Sequence, residues 1–184
     1  MINQKYSKVK FSDIEQNDEF DHCEFIDCDF VHAEIRKTVF SNCRFCHCDL
    51  TMTKFFSSLR DVQFEECKMM GTDFSHINRF SGGFEFRACM LRYCSFIALK
   101  LNATRFRKCQ IVECYFDDSD MKESVFDDCD LSGTSFERVN LEKADFSTSC
   151  NYSINPSLSR LKKTIFSQNG LRGLVSHLDI VIEE

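Results

Sequence analysis

Cys43-Arg44-Phe45-Cys46-His47 is a literal C-x-x-C-H run, the spacing by which two thiols attach a haem and a histidine ligates its iron. With Cys48 the same stretch offers four ligands of the kind zinc takes. Elsewhere the reactive groups are scattered. The five histidines, His22, His32, His47, His76 and His177, stand in no recognisable nucleophile arrangement with Ser or Cys. The glycine pair Gly82-Gly83 does not make a phosphate-cradling loop. Whether any of these groups converge depends on where the chain points them.

Orientation follows from a repeat. The 184 residues include 20 Phe and 12 Cys, but one Pro, six Gly and no Trp. Such bias signals internal repetition. Stepping by five from Leu91 gives Leu91, Phe96, Leu101, Phe106, Ile111, Phe116, Met121, Phe126, Leu131, Phe136, Leu141 and Phe146, with Phe alternating strictly with an aliphatic residue. Two residues before each centre stands a mostly small one, from Cys89 and Cys94 through to Thr134, Val139 and Ala144. An N-terminal series runs in another phase through Phe20, Phe25, Phe30, Ile35, Phe40, Phe45, Leu50 and Phe55. Its small positions are Asp18, Cys23, Cys28, Ala33, Thr38, Cys43, Cys48 and Thr53. A short third series holds Leu59, Phe64, Met69 and Phe74. The phase slips near Phe55-Phe56 and again between Ile77 and Phe86.

A period of five matches neither the 3.6-residue helix nor the two-residue strand. It fits a chain that turns a corner every five residues. Each quintet is then one side of a coil, with the large centre on the axis and the small residue tucked beside it. Stacked coils should lie ~4.8 Å apart, so outward residues one coil apart become neighbours. At a separation of 20, nine charge pairs are opposite: Glu24/Arg44, Glu34/Lys54, Glu85/Arg105, Lys100/Asp120, Arg107/Asp127, Lys108/Asp128, Asp118/Arg138, Lys122/Glu142 and Glu123/Lys143. Three are alike: Asp29/Asp49, Arg87/Arg107 and Asp117/Glu137. The excess supports four sides per coil. Phe86, Phe106, Phe126 and Phe146 then form one column, and Phe96, Phe116 and Phe136 the column opposite.

These quintets resemble the pentapeptide-repeat family. Cys129-Asp130-Leu131-Ser132-Gly133 and Ala144-Asp145-Phe146-Ser147-Thr148 follow its pattern of a small residue, a polar one, Leu or Phe, and two polar ones. The resemblance spans roughly Phe11 to Thr148. It implies an all-β fold, a right-handed quadrilateral parallel β-helix, over residues 1–150. Residues 151–184 read as a C-terminal capping and dimerisation module. Ser167 is a plausible N-cap for a short α-helix whose apolar stripe is Leu171, Leu174, Val175 and Leu178. Asp179-Ile180-Val181-Ile182-Glu183 reads as a terminal strand. An open solenoid end exposes core and strand edges, so it needs a cap in either case. The family's Qnr-type quinolone-resistance branch implies a dimeric DNA mimic that binds DNA gyrase or topoisomerase IV, type II topoisomerases, and protects against quinolones. Members with projecting loops have one counterpart here, the short segment Ser75 to Gly83.

On this geometry Cys43 and Cys48 face inward on successive sides, while Cys46 and His47 face outward. Neither haem nor zinc then finds convergent ligands. Ten of the twelve cysteines, all but Cys46 and Cys150, occupy small inward positions and read as reduced packing residues. A narrow core filled with Phe leaves no substrate pocket, so the chain reads as non-enzymatic and without a cofactor.

Lys and Arg total 23 against 29 Asp and Glu, a net charge of -6, which argues against direct nucleic-acid binding. The charge is banded. From Phe11 to Ile35 there are nine acids, including Asp13, Glu15, Asp18 and Glu19, and no Lys or Arg. From Phe86 to Gln110 there are six bases and no acid. From Ile111 to Asp130 lie Glu113, Asp117, Asp118, Asp120, Glu123, Asp127, Asp128 and Asp130 with one Lys. These eight acids are the candidate contacts to a basic DNA-binding groove. The rival is an interaction scaffold for an unrelated protein, with Phe56, Phe80 and Phe84 exposed at the phase slips. A continuous negative stripe would favour mimicry, and a neutral surface with an apolar patch the scaffold. No apolar run is long enough to span a membrane or lead Met1 through one, so the expected location is the cytoplasm.

Overall fold

The computed structural model describes residues 1–14, 19–78, 83–178 and 180–183. Glu15, Asp18, Phe80 and Asp179, and the centre of the Ser75 to Gly83 segment, lie outside the described residues. The chain is a parallel β-helix of four sides. The first side is a nine-stranded parallel sheet running from Lys5–Ser7 through Glu24–Ile26, Arg44–Cys46, Gln63–Glu65, Glu85–Arg87, Arg105–Arg107, Val125–Asp127 and Asp145–Phe146 to Ile165–Phe166. The second side carries Lys68–Met70, Met90–Arg92 and Gln110–Val112. The third carries Glu34–Ile35 and Lys54–Phe55, and the fourth Glu19–Asp21, Val39–Ser41 and Leu59–Arg60. Isolated parallel bridges continue the third side through Ser95 and Tyr115 and the fourth through Lys100, Asp120, Asn140 and Arg160.

Most corners sit two residues after a centre, where the backbone enters the left-handed region. In one coil these are Ala103, Lys108, Glu113 and Asp118, with φ of 56°, 53°, 52° and 60°. The residue before the next centre resumes extended pairing with the coil below.

Register locates the phase slips. Phe86 pairs with Phe106, 20 residues on. Phe45 pairs with Phe64, 19 on, and Phe64 with Phe86, 22 on. One coil is therefore a residue short and the next two residues long, at the places where the phase changes. Another short coil, Tyr6 to Phe25 at 19 residues, has no signal in the sequence reading. The sheet also extends beyond both ends of the legible repeat. Tyr6 stacks on Phe25 at 5.1 Å and Phe166 on Phe146 at 5.5 Å.

The core is an aromatic stack. Phe86, Phe106, Phe126 and Phe146 lie face to face at 4.8, 4.9 and 4.5 Å. Phe96, Phe116 and Phe136 form the facing column at 4.8 and 5.3 Å. The two columns meet edge to face, as Phe106 and Phe116 do at 5.8 Å and 82°.

The C-terminal segment departs from the expectation in two respects. The expected α-helix is a six-residue 3-10 helix, Asn169–Leu174. Gly170 and Gly173 lie within it, and glycine is a poor α-helix former. The Ser167 hydroxyl does accept the Gly170 N–H, at 3.1 Å. Leu174 packs against the core, Val175 is half-buried, and Leu171 and Leu178 are exposed. The expected terminal strand is absent over Ile180–Glu183, because a strand requires a ladder partner and none of the described strands pairs with it. Tyr152 and Ile154 close the end of the core, and Ile154 N–H donates to the Gly173 carbonyl at 2.9 Å.

Candidate interaction surface

The C-x-x-C-H run lies across a strand and its corner. Cys43 and Cys48 point inward. The Cys43 thiol donates to the carbonyls of Phe20 (3.3 Å) and Ser41 (3.2 Å), and burial pushes it up to about 11. Cys48 donates to the carbonyls of Phe25 (3.3 Å) and Cys46 (3.4 Å). Cys46 departs from the outward reading, being only 8 % exposed on a strand shared with Arg44 and paired alongside Glu65. His47 sits at the corner with Nε2 3.3 Å from Glu66 and Nδ1 3.7 Å from Asp27. Among the described residues, no three of His, Cys, Asp or Glu converge on a metal-sized site. A surface groove of about 510 Å³ runs past His22, Asn42, Arg44 and Asp61. His22 there bonds Asp21 at 2.9 Å, and the nearby Cys23 and Cys43 thiols are buried. The groove therefore holds no activated nucleophile.

The eight candidate acids do not share a face. One coil wraps the whole perimeter, so residues close in sequence point to different sides. Asp127 and Asp128 end the first side, and Asp130 begins the second. Glu113 is a second-side corner, while Asp117 and Asp118 end the third side. Asp120 lies on the fourth, with Glu123 at its corner. Most are also engaged. Asp118 is held by Arg138 and Glu123 by Lys143, and both carboxyls lie below their ordinary range because of those hydrogen-bonded cations. Asp117 accepts the Ser135 hydroxyl (2.6 Å) and the Glu137 N–H (2.8 Å). Asp120 accepts the Asn140 amide at 2.8 Å. Asp130 accepts the Ser132 hydroxyl (2.6 Å) and the Asn151 amide (2.8 Å), which lower its pKa.

Four of the nine expected opposite pairs close as ion pairs: Glu24/Arg44, Glu34/Lys54, Asp118/Arg138 and Glu123/Lys143. Others trade partners. Glu85 meets Arg107 at 3.2 Å, and Glu142 meets Arg160 at 2.5 Å. The first side becomes a ladder of alternating sign, Lys5–Glu24–Arg44–Glu65–Arg87. Among the described residues no side carries an unbroken negative stripe.

The apolar exposure lies where it was not expected. Phe84 is 4 % exposed, filling a small position in the coil with two extra residues. Phe56 is half-buried under the Arg36 guanidinium, 4.2 Å from its ring centre, and beside His76. Instead Val31, Met52, Met70, Met90 and Tyr93 are exposed along the second side, with Ile97 and Tyr115 following on the third. Consecutive coils join them: the Met52 N–H donates to the Met70 carbonyl at 2.7 Å, and Met70 pairs with Arg92 beside Tyr93. Each is an apolar residue at one of the repeat's outward positions, so its sequence signal lies there and not in the centres or the small positions.

The family model for pentapeptide repeats matches residues 23–58, and that for a pentapeptide repeat region matches 79–146, together more than half of the chain. No curated protein matches the sequence. Full-length QnrB1, a plasmid-mediated fluoroquinolone resistance protein, superposes with a TM-score of 0.52 at 18 % identity, covering 98 % of this chain and 99 % of that one. HetL, a pentapeptide-repeat protein involved in heterocyst differentiation regulation in the cyanobacterium Nostoc, superposes with a TM-score of 0.61 at 14 % identity, covering 91 % and 86 %. Quintet spacing, four-sided coils and family matches agree that the chain belongs to the pentapeptide-repeat proteins.

Proposed function

We propose that this chain is a non-enzymatic rod that works by docking its side onto another protein, with Met52, Met70, Met90 and Tyr93 at the contact. The observation that carries this reading is apolar side chains exposed at outward positions of a repeat that elsewhere places polar ones there. Methionine suits such a surface because its unbranched thioether adapts to a partner's contour.

A second reading is DNA mimicry directed at DNA gyrase or topoisomerase IV in the cytoplasm, with protection from quinolones. Likeness to QnrB1 over nearly the whole of both chains favours it. Its contacts would come from Glu113 to Asp130, and its dimer interface from Leu171, Leu174, Val175 and Leu178 with the exposed Ile180-Val181-Ile182. The ion pairing of Asp118 and Glu123 weakens the field that such mimicry needs.

Supercoiling by purified gyrase, with and without a quinolone and at two salt concentrations, tests both. Inhibition or drug rescue that fades with salt and is lost on charge reversal at Asp117, Asp118 and Asp120 supports mimicry. An effect lost in Met70→Asp/Met90→Asp but kept on charge reversal supports apolar docking on the same enzyme. No effect at micromolar excess overturns the topoisomerase reading and moves the search for a partner to a pull-down compared between the parent chain and the methionine variant.

A further inference from the structure

Six consecutive coils place a cysteine at the same point, the inward position between the first and second sides: Cys28, Cys48, Cys67, Cys89, Cys109 and Cys129. All six are at most 2 % exposed. The thiols repeat one geometry. Cys67 donates to the carbonyls of Phe45 (3.3 Å) and Glu65 (3.4 Å). Cys89 donates to those of Phe64 and Arg87 (both 3.4 Å), and Cys109 to Phe86 (3.5 Å) and Arg107 (3.3 Å). Cys129 donates to Phe106 (3.4 Å) and Asp127 (3.5 Å). Identical partners mean identical rotamers, so each sulfur is displaced from the next by the coil spacing, ~4.8 Å.

Packing does not demand cysteine here. The equivalent inward positions between other sides hold Thr53, Thr72 and Thr134, or Val62, Thr104 and Ala144, beside only two cysteines each, Cys94 and Cys114 or Cys23 and Cys43, all of them buried. A small residue is required, but six thiols in unbroken succession are not.

We propose that adjacent thiols of this column form two-coordinate sites for a soft divalent d10 cation of linear geometry, of which the mercuric ion is the probe. Two metal–thiolate bonds of about 2.3 Å each span nearly one coil spacing. Thiolates select soft cations. Zinc prefers four ligands in a tetrahedron, which two inward sulfurs in a column do not supply. In the reaction two S–H bonds break, two metal–sulfur bonds form, and two protons leave to solvent, with no change of oxidation state. The product carries no net charge, which suits a core that penalises buried charge. Each thiol must lose its proton inside a buried core before it can bond the cation, so uptake should be faster in alkali.

The test titrates the fully reduced chain with Hg(II), reading thiol–mercury charge-transfer absorption and protons released. Two thiols consumed per cation, a raised melting temperature, and no comparable effect of Zn(II) are expected. The variant Cys48→Ala/Cys89→Ala/Cys129→Ala leaves three column thiols but no adjacent pair, and should bind three fewer cations than the parent. One thiol per cation, or an unchanged count in a folded variant, overturns the proposal. In the unaltered chain a ratio of one thiol per cation overturns the proposal without relying on the variant's folding.

Discussion

Arg138 grips Asp118 from one coil away, Nε donating to Oδ1 at 2.7 Å and Nη2 to Oδ2 at 3.0 Å. The same guanidinium reaches Glu137 at 3.1 Å. The Asp118 corner, one of the candidate acidic contacts, is therefore half-neutralised by a base 20 residues on. If the acids of that corner contact a basic groove, Arg138→Ala should strengthen binding several-fold at low salt, with the gain vanishing at high salt. Titration of gyrase with both forms at two ionic strengths checks this. Unchanged affinity would remove the corner from the interface.

Phe106 lies between Phe86 and Phe126 at 4.8 and 4.9 Å and is fully buried. Phe106→Ala should cost about 3–5 kcal/mol, since so close-packed a stack cannot collapse into the space left. Phe106→Leu should cost less. Urea unfolding of the three proteins measures both.

Gly173 has no room for a side chain. A Cβ there would stand 2.1 Å from the Tyr152 carbonyl oxygen. Gly173→Ala should push the 3-10 turn off the end of the core, expose Tyr152 and Leu174, and lower the melting temperature by several degrees. Binding of a hydrophobic dye to the native variant should rise in parallel.

Glu65 is held below the ordinary carboxylate range by Arg44, Asp118 by Arg138 and Glu123 by Lys143. Depressed folded-state values mean that the unfolded chain takes up protons first as pH falls. Their contribution is complete above the unfolded carboxylate range, about pH 4–4.5, and disappears as pH drops through the lower folded values. The melting temperature should be level from pH 7 to about 5 and fall below about 4. Each pair is exposed, so 1 M salt should flatten the change.

Of the twelve cysteines, Cys150 is exposed and the other eleven are buried. A small alkylating reagent should label one thiol rapidly in the native chain, and Cys150→Ser should abolish that phase. Mass spectrometry at short reaction times reads the count. Rapid labelling of Cys46 as well would show that its 8 % exposure suffices for attack.

Fold and site were legible to different depths, for a physical reason. The centres Phe86 to Phe146 and the small cysteines beside them are fixed by an interior that admits few alternatives, so spacing alone placed them. Charge neighbours were only partly readable. A long side chain reaches past its own row, so Glu85 chooses Arg107 over the directly opposed Arg105. The eight acids from Glu113 to Asp130 make one band along the chain, but adjacency in sequence is not adjacency in space. In a four-sided coil the two separate at every corner. The C-terminal segment is a 3-10 turn and not the expected α-helix because its apolar spacing also suits a tighter turn, and Gly170 and Gly173 favour that turn by letting it press on Tyr152.

The coils of the first side pair only with their immediate neighbours, from Tyr6 to Phe166. Length is therefore a free variable in the gene. Duplicating one in-frame stretch of coding sequence for 20 residues would lengthen the molecule by ~4.8 Å and leave both ends as they are. Such a protein can be fitted to a longer or shorter target by copying, without the redesign that a globular core would require.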